Sequence, residues 1–240
     1  MAFRRLLRGM RLPLLLAAQA LLVTCATAQN GPVVATGAMR NTMFNGPLAG
    51  LVRLDSLCTP GTYGLGPVEY LRGELLLWDG HPYRATAEGD SAMRVEERPD
   101  SRAPFFVHQR VTQWTEVTLP DSVTDLPALD AFLTARFGSA GTPFAFTLSG
   151  TFQGIDLHLV DVSPGRTIAG PDDAHRENKR FHLSEVTADA LGFFSTKHKA
   201  VFTHHDTNIH VHAITTARDR MGHVEAFTIA PGACRLRVAR

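Results

Sequence analysis

A predicted hairpin near the C-terminus carries three histidines and constrains the fold more than any other feature of this chain. Residues 208–214 and 222–229 have the composition of strands and are joined by a polar turn. Because side chains alternate between the two faces of a strand, His210 and His212 point the same way, about 6–7 Å apart. An antiparallel hairpin would bring His223 beside them. The sequence therefore predicts a sheet on which three imidazoles converge.

Three converging imidazoles are typical of a catalytic metal site. Bonds of about 2.0–2.1 Å from three neutral nitrogens leave a tetrahedral zinc ion with a fourth position for water or substrate. The prediction is one Zn²⁺ ion held by His210, His212 and His223. Copper, iron, nickel and cobalt also accept imidazole, and the spacing does not select among them. The alternative interpretation is that these are ordinary half-buried or surface histidines.

Two motifs in the chain resemble the alpha-acetolactate decarboxylase family. In that family a His-x-His pair is followed, eleven residues after its second histidine, by Gly-His-Val. His210, His212 and His223 match this motif position for position. A second family signature, Gly-Glu followed by apolar residues and Asp-Gly, is similar to residues 73–80 and includes Glu74. Weaker similarities follow the family's order over most of the chain.

The resemblance implies a fold and a reaction. The fold is α/β, sheet-rich and two-lobed, with mixed β-sheets and few helices, and a homodimer is expected. The reaction is the zinc-dependent removal of CO2 from 2-acetolactate, a small 2-hydroxy-3-keto acid, to give acetoin. Loss of CO2 from such an acid leaves an enediolate, whose negative charge a metal can stabilise as a Lewis acid. Glu74 is the expected proton donor, and burial would have to raise its pKa for that role.

Two positions depart from the family pattern. The family has an arginine a few residues after a Gly-Thr-Phe motif, and His158 stands at that place here. The family also contributes a glutamate from a C-terminal tail, whereas residues 234–240 contain no acid. His158 could take the cationic role or add a metal ligand. Glu225, two residues after His223 on the same predicted strand face, could act as an acid, orient a ligand, or be an ordinary surface glutamate.

Glu74, His158 and Glu225 are the candidate catalytic residues of the decarboxylase. The two departures leave other functions open beside it. One is a metal-dependent protein that binds a small molecule on the same scaffold, either without catalysis or with a changed substrate. Another is a structural metal site that serves folding alone.

The first 28 residues have the organisation of a secretory signal peptide. Several arginines precede an apolar run over residues 12–23, and Ala28 ends a small-residue cleavage signal. We therefore expect an exported protein, periplasmic or secreted. Lipid attachment at Cys25 is the less favoured alternative, because Thr24 is bulkier than the residue that such sites prefer. No later segment approaches the roughly 20 apolar residues of a transmembrane helix, so none is expected.

The remaining chain is expected to form one domain. Residues 29–56 are polar and rich in Gly and Pro, which predicts an extended lead-in, and residues 57–240 form the catalytic domain of two closely joined lobes. Cys58 and Cys234 could pair in an oxidising compartment or remain as free thiols. The 24 basic and 23 acidic residues give a net charge of +1 without a basic cluster in the domain. Nucleic acid is therefore not an expected partner.

Local patterns predict three further features. Residues 126–137 have apolar positions at helical spacing, with Asp125 as the N-cap. Residues 79–80, Asp-Gly, are typical of a tight hairpin turn. His204 and His205 lie just before the histidine-bearing strand. Either could orient a ligand or touch substrate, but we expect them in a solvent-exposed loop.

Overall fold

Fourteen strands and three α-helices lie within residues 29–240, the part of the chain that the computed structural model describes. The predicted signal peptide, residues 1–28, lies outside the described residues. The strands are β1 (Val33–Thr36), β2 (Val52–Arg53), β3 (Thr62–Pro67), β4 (Glu74–Trp78), β5 (His81–Glu88), β6 (Ala92–Glu97), β7 (Arg102–Ala103), β8 (Phe106–Arg110), β9 (Thr115–Val117), β10 (Phe144–Val160), β11 (Asn178–Phe194), β12 (Ile209–Thr215), β13 (Met221–Thr228) and β14 (Cys234–Val238). The helices are α1 (Met39–Met43), α2 (Leu126–Phe137) and α3 (Pro171–Arg176), with short 3-10 turns at Leu54–Leu57, Glu69–Leu71 and Gly138–Ala140.

Two six-stranded sheets form the framework. The first has the order β1-β8-β3-β4-β5-β6 and the second the order β11-β12-β13-β10-β14-β9, while β2 and β7 form a small separate pair. In the second sheet β10 also pairs with β11 along its length, so β10, β11, β12 and β13 close into a ring. The strands of these sheets pair antiparallel, whereas the resemblance implies mixed sheets. The sheet-rich α/β class with few helices is confirmed.

The two sheets pack against each other through a shared apolar core. Leu65 and Leu76 from the first sheet lie in the same buried cluster as Leu159, Leu191 and Phe193 from the second, and all five are fully buried. Each such side chain contributes roughly 1.5–3 kcal/mol of burial free energy. This shared core fixes the faces of the two sheets relative to each other, so a side chain on one sheet can meet a side chain on the other.

Helix α2 forms where its sequence pattern predicts a helix, and it covers the opposite side of the second sheet. The side chain of Asp125 accepts a hydrogen bond of 2.8 Å from the backbone N–H of Ala128, which is the N-cap interaction that its position predicts. Leu129 and Leu133 are fully buried against the sheet. The predicted hairpin is also present, because Trp78 at the end of β4 pairs with the first residue of β5.

The lead-in is more structured than its composition predicts. Residues Val33–Thr36 form an edge strand of the first sheet, paired with β8, and Leu54 is fully buried in a small satellite core. The prediction of an extended lead-in over residues 29–56 is therefore corrected. An edge strand needs few apolar side chains, since backbone hydrogen bonds to its neighbour hold it in place.

The two cysteines of the described chain are free thiols. Cys58 donates to the carbonyl of Leu54 at 3.1 Å, and Cys234 donates to the carbonyl of Thr151 at 3.6 Å. The structure thus has the unpaired alternative of the two that the sequence leaves open. Between residues 29 and 240, the structure has no helix that is both long and apolar enough to span a bilayer.

Candidate metal centre

Three neighbouring strands place histidines side by side on the second sheet. His212 on β12 is directly opposite His223 on β13, and His223 is directly opposite His158 on β10. His210 lies two residues before His212 on the same strand face. The predicted hairpin is therefore confirmed, and its register lines up the imidazoles.

A close approach of β13 to β10 requires the glycine of the Gly-His-Val motif. A Cβ atom on Gly222 would lie 2.7 Å from the backbone oxygen of His158. This distance is shorter than any normal contact, and the obstacle is backbone, which cannot rotate away. Gly222 therefore allows His223 and His158 to lie in contact, with ring centroids 4.5 Å apart.

The three predicted ligands form a buried cluster. Nε2 of His210 lies 3.1 Å from Nδ1 of His223, and the ring of His212 lies 5.0 Å from that of His210 and 5.4 Å from that of His223. His210, His212 and His223 are 4%, 0% and 8% exposed. Burial lowers the pKa of His212 to about 3 and lowers the pKa values of the other two well below the ordinary range. Neutral imidazoles are the form that binds a metal.

Backbone carbonyls fix which nitrogen of two histidines faces the cluster. Nδ1 of His210 donates to the carbonyl of Phe202 at 2.8 Å, and Nδ1 of His212 donates to the carbonyl of Leu75 at 3.0 Å. Each Nε2 is then left with its lone pair, as in metal-binding histidines. Nε2 of His212 is buried and has no hydrogen-bond partner within the described chain. A metal ion would satisfy this nitrogen, so the residues present fit one.

A fourth imidazole joins the cluster from the loop before β12. His204 is partly buried, and its ring centroid lies 4.8 Å from that of His223 and 5.5 Å from that of His210. The potential ligand nitrogens of His204, His210 and His223 all lie within 4.8 Å of one another. The prediction of an exposed loop is correct for His205 and wrong for His204. Strand alternation gives no direction for a loop side chain, so only the presence of the adjacent histidines could have indicated it.

Glu74 reaches the cluster from the other sheet. It is 4% exposed, and its Oε2 atom lies 3.5 Å from Nε2 of His212. Its Oε1 atom accepts a long hydrogen bond of 3.4 Å from the backbone N–H of Val160. Burial raises the pKa of Glu74 well above its ordinary value, and the hydrogen bond from Val160 only partly opposes this. The structure therefore places a buried carboxyl group beside the histidines, as the prediction requires.

The backbone conformation and the close packing at position 73 require the glycine that precedes Glu74. Gly73 has φ of +131°, and a Cβ atom there would lie 2.1 Å from the carbonyl oxygen of Ala85. Only glycine adopts this conformation readily. Gly73 thus lets the chain enter β4 at the angle that directs Glu74 toward His212.

His158 and Glu225 form a pair at the edge of the cluster. Nδ1 of His158 lies 3.1 Å from Oε1 of Glu225, and Nε of Arg180 donates to Oε2 of the same carboxylate at 3.3 Å. The hydrogen bond from His158 lowers the pKa of Glu225. Glu225 is exposed, and its contact with Nδ1 orients the ring of His158. Of the roles considered for Glu225, the geometry favours that of a partner that orients a neighbouring histidine.

Comparison with known proteins assigns the chain to a family. The model of the family described as alpha-acetolactate decarboxylase matches residues 36–240. The chain belongs to the alpha-acetolactate decarboxylase family. The resemblance seen in the sequence motifs is thereby confirmed.

One relative and two solved structures show how far the similarity extends. The alpha-acetolactate decarboxylase of Brevibacillus brevis is 26% identical over 187 residues, which cover 77% of this chain and 62% of the relative's length. The crystal structure of alpha-acetolactate decarboxylase from Bacillus subtilis strain 168 superposes with a TM-score of 0.70 at 18% identity, covering 87% of this chain and 85% of that one. A Staphylococcus aureus protein of unknown function, described as similar to alpha-acetolactate decarboxylase, gives 0.67 at 17% identity, covering 86% and 84%. These structures share the fold.

The histidine cluster of this family member lies between two cavities. One, of about 710 Å³, is lined by Glu74 and by apolar side chains that include Met39, Met43 and Phe105. The other, of about 880 Å³, is lined on its far side by the start of α2. Both cavities include His158, His204, His210 and His223 in their walls. The cluster is thus accessible to a small molecule from a mainly apolar cavity of the usual size for a ligand site.

Proposed function

We propose that this protein is a zinc-dependent decarboxylase that acts on 2-acetolactate, or on a similar 2-hydroxy-3-keto acid, and releases CO2 and acetoin. The observation that carries the proposal is the meeting of Nε2 of His212 with the buried carboxyl group of Glu74, at 3.5 Å, across the two sheets. Membership of the family supports the same reaction class. The cavity beside this pair is large enough for such a substrate.

One zinc ion is the proposed cofactor. His210, His212 and His223 would hold it, because their rings lie within 5.4 Å of one another and burial keeps them neutral. When bound, the ion supplies a Lewis acid that stabilises the negative charge developing on the substrate oxygens. The backbone carbonyls of Phe202 and Leu75 hold the rings of His210 and His212 in the orientation that ligand binding requires.

Glu74 would act as the general acid that donates a proton to the substrate. The C–C bond to the carboxylate breaks, CO2 leaves, and the electron pair remains on the substrate as an enediolate. A proton must then reach carbon to give acetoin. Burial raises the pKa of Glu74 and so favours its protonated form, from which Oε2 would donate this proton and afterwards recover one from water. Its place beside His212 would put the donor close to a substrate bound at the metal site.

His158 would position the substrate. Its Nδ1 atom is held by Glu225, and Arg180 in turn holds Glu225, so the ring has a fixed orientation beside His223. Nε2 of His158 is then the polar atom available to a substrate oxygen at the wall of both cavities. The apolar residues Met39, Met43 and Phe105 of the 710 Å³ cavity would receive the methyl groups.

Metal content and product formation test this proposal together. The purified protein, produced from the full sequence, is analysed for bound metal, and CO2 and acetoin are followed from racemic acetolactate. We expect one zinc ion per chain and metal-dependent acetoin formation, both lost in His212→Ala. Bound zinc without acetoin formation would refute the proposed decarboxylase activity.

A second candidate is a metal-dependent protein that binds a small molecule without converting it. The observation that favours it is that His158 stands where the family pattern has an arginine, because an imidazole binds an anionic substrate more weakly than a guanidinium does. Tight, zinc-dependent acetolactate binding without turnover would support it. In that case Glu74→Gln would leave every measured property nearly unchanged.

We also propose that the protein works outside the cytoplasm. The support is the basic and apolar pattern of residues 1–28, which is typical of a signal peptide. Mass spectrometry of the protein from an expressing bacterium should find a mature N-terminus at Gln29 in the periplasm or the medium. An intact N-terminus on cytoplasmic protein would contradict this proposal.

A further inference from the structure

His204 has a position that none of the proposed catalytic roles uses. It lies in the loop between β11 and β12, where its neighbours His205 and Asp206 are exposed. Its own ring turns inward and meets the rings of His210 and His223. Nε2 of His204 is buried and has no hydrogen-bond partner in residues 29–240. A polar atom turned inward from a surface loop without a partner needs an explanation.

A second nitrogen in the same cluster has the same property. Nε2 of His212 is also buried and makes no hydrogen bond in the described part of the protein, although Oε2 of Glu74 lies 3.5 Å from it. Both atoms carry a lone pair if the neutral ring bears its proton on Nδ1, and the carbonyl of Leu75 enforces this for His212. The rings that carry these two nitrogens lie next to those of His210 and His223, whose Nε2 and Nδ1 atoms are 3.1 Å apart, so four imidazoles meet in this cluster.

We infer that His204 is a fourth protein ligand of the metal ion, so that four imidazoles hold it. This inference rests on the proposed metal site and goes beyond the three histidines of the family motif. His204 comes from a loop, whereas the other three come from paired strands. It is therefore the ligand that most easily moves when a substrate enters.

The distances agree with this inference after a small movement. Ligand nitrogens of a tetrahedral zinc ion with bonds of about 2.0–2.1 Å lie roughly 3.3 Å apart. Nε2 of His210 and Nδ1 of His223 already lie 3.1 Å apart. The nitrogens of the set that includes His204 lie within 4.8 Å of one another. The nitrogens of His204, His210 and His223 must therefore approach one another by at most about 1.5 Å to reach the tetrahedral spacing, and rotation of the loop side chain of His204 about its χ angles can supply such a shift.

A matched pair of variants tests the inference. His204→Ala removes the proposed ligand, and His205→Ala removes an exposed histidine from the adjacent position. Zinc affinity is measured on the full chain by competition with a chromogenic chelator, and cobalt(II) is used as a spectroscopic probe of coordination. Loss of a residue that only orients a metal ligand typically lowers metal affinity by roughly 10–100-fold. His204→Ala would remove a ligand itself, so we expect it to weaken zinc binding by at least this factor. Its cobalt spectrum should change, while His205→Ala should match the wild type. Wild-type affinity and spectrum in His204→Ala would overturn the inference.

A measurement on the wild type keeps the test independent of how the variants fold. X-ray absorption at the zinc edge should count four imidazoles, with no water oxygen completing the set. Three imidazoles and one oxygen would overturn the inference and leave the decarboxylase proposal intact, provided that acetoin still forms. A wild-type protein that binds no zinc would overturn both.

Discussion

Replacement of Glu74 by glutamine separates proton transfer from every other role of the site. The amide has the size of the carboxylic acid and can still accept the hydrogen bond from the backbone N–H of Val160. It cannot deliver a proton near neutral pH. Because Glu74 is 4% exposed and burial already favours its neutral form, the exchange should change neither the fold nor the metal content.

The expected loss follows from the place of this carboxyl group. A positioned general acid contributes about 10²–10⁴-fold to a reaction rate, which corresponds to about 2.7–5.4 kcal/mol of activation free energy. Glu74→Gln should therefore lower kcat for acetoin formation by this factor. Glu74→Asp keeps the acid but withdraws it by one C–C bond, about 1.5 Å. A displacement of that order costs about 10²-fold, so this variant should retain more activity than the glutamine variant.

Steady-state acetoin formation at saturating acetolactate measures the effect, and zinc analysis of the same samples confirms that the site is intact. Glu88→Gln is the control, because Glu88 is an exposed residue on β5 of the same sheet. It should behave as the wild type. If Glu74→Gln kept wild-type turnover with a full complement of zinc, Glu74 would not be the proton donor and the reasoning from its burial would be refuted.

Three further predictions concern stability and reactivity. Gly73→Ala places a residue at φ of +131° with its Cβ 2.1 Å from a carbonyl oxygen, so urea denaturation should show a loss of at least about 1–3 kcal/mol; an unchanged midpoint would contradict the close approach. Leu133→Ala should cost about 2–5 kcal/mol in the same assay, because Leu133 is fully buried under α2. Burial raises the pKa of Cys234 to about 11, which leaves a thiolate fraction of roughly 10⁻³ at pH 8. Iodoacetamide should therefore modify it only slowly in the native protein, and its rate should rise with pH up to that pKa; rapid alkylation at pH 8 would disprove the burial argument.

The sequence predicted the local parts of this fold because they rest on short-range patterns. Strand alternation gave the common face of His210 and His212, and apolar spacing with a cap at Asp125 gave α2. The pairing of β1 with the first sheet was not predicted, because an edge strand is held by backbone hydrogen bonds to a distant segment. No periodicity in its own residues signals that contact.

The candidate site was predictable only where a strand fixes the direction of the side chain. His223 followed from the hairpin, but Glu74 lies on the other sheet, and only the similarity to a family motif connected it with the histidines. His204 was assigned to an exposed loop because loop side chains have no fixed alternation. Its inward position depends on the packing of the strand ends around it, which a one-dimensional pattern does not contain.

Titration of the metal-free protein with zinc tests the central claim most directly. The protein is stripped with a chelator, zinc is added back in known steps, and acetoin formation from acetolactate is measured at each step. We expect no activity without metal and a linear rise that reaches its plateau at one equivalent per chain, with no rise in His212→Ala. Full activity in the stripped protein, or zinc binding to the plateau without any acetoin, would contradict it.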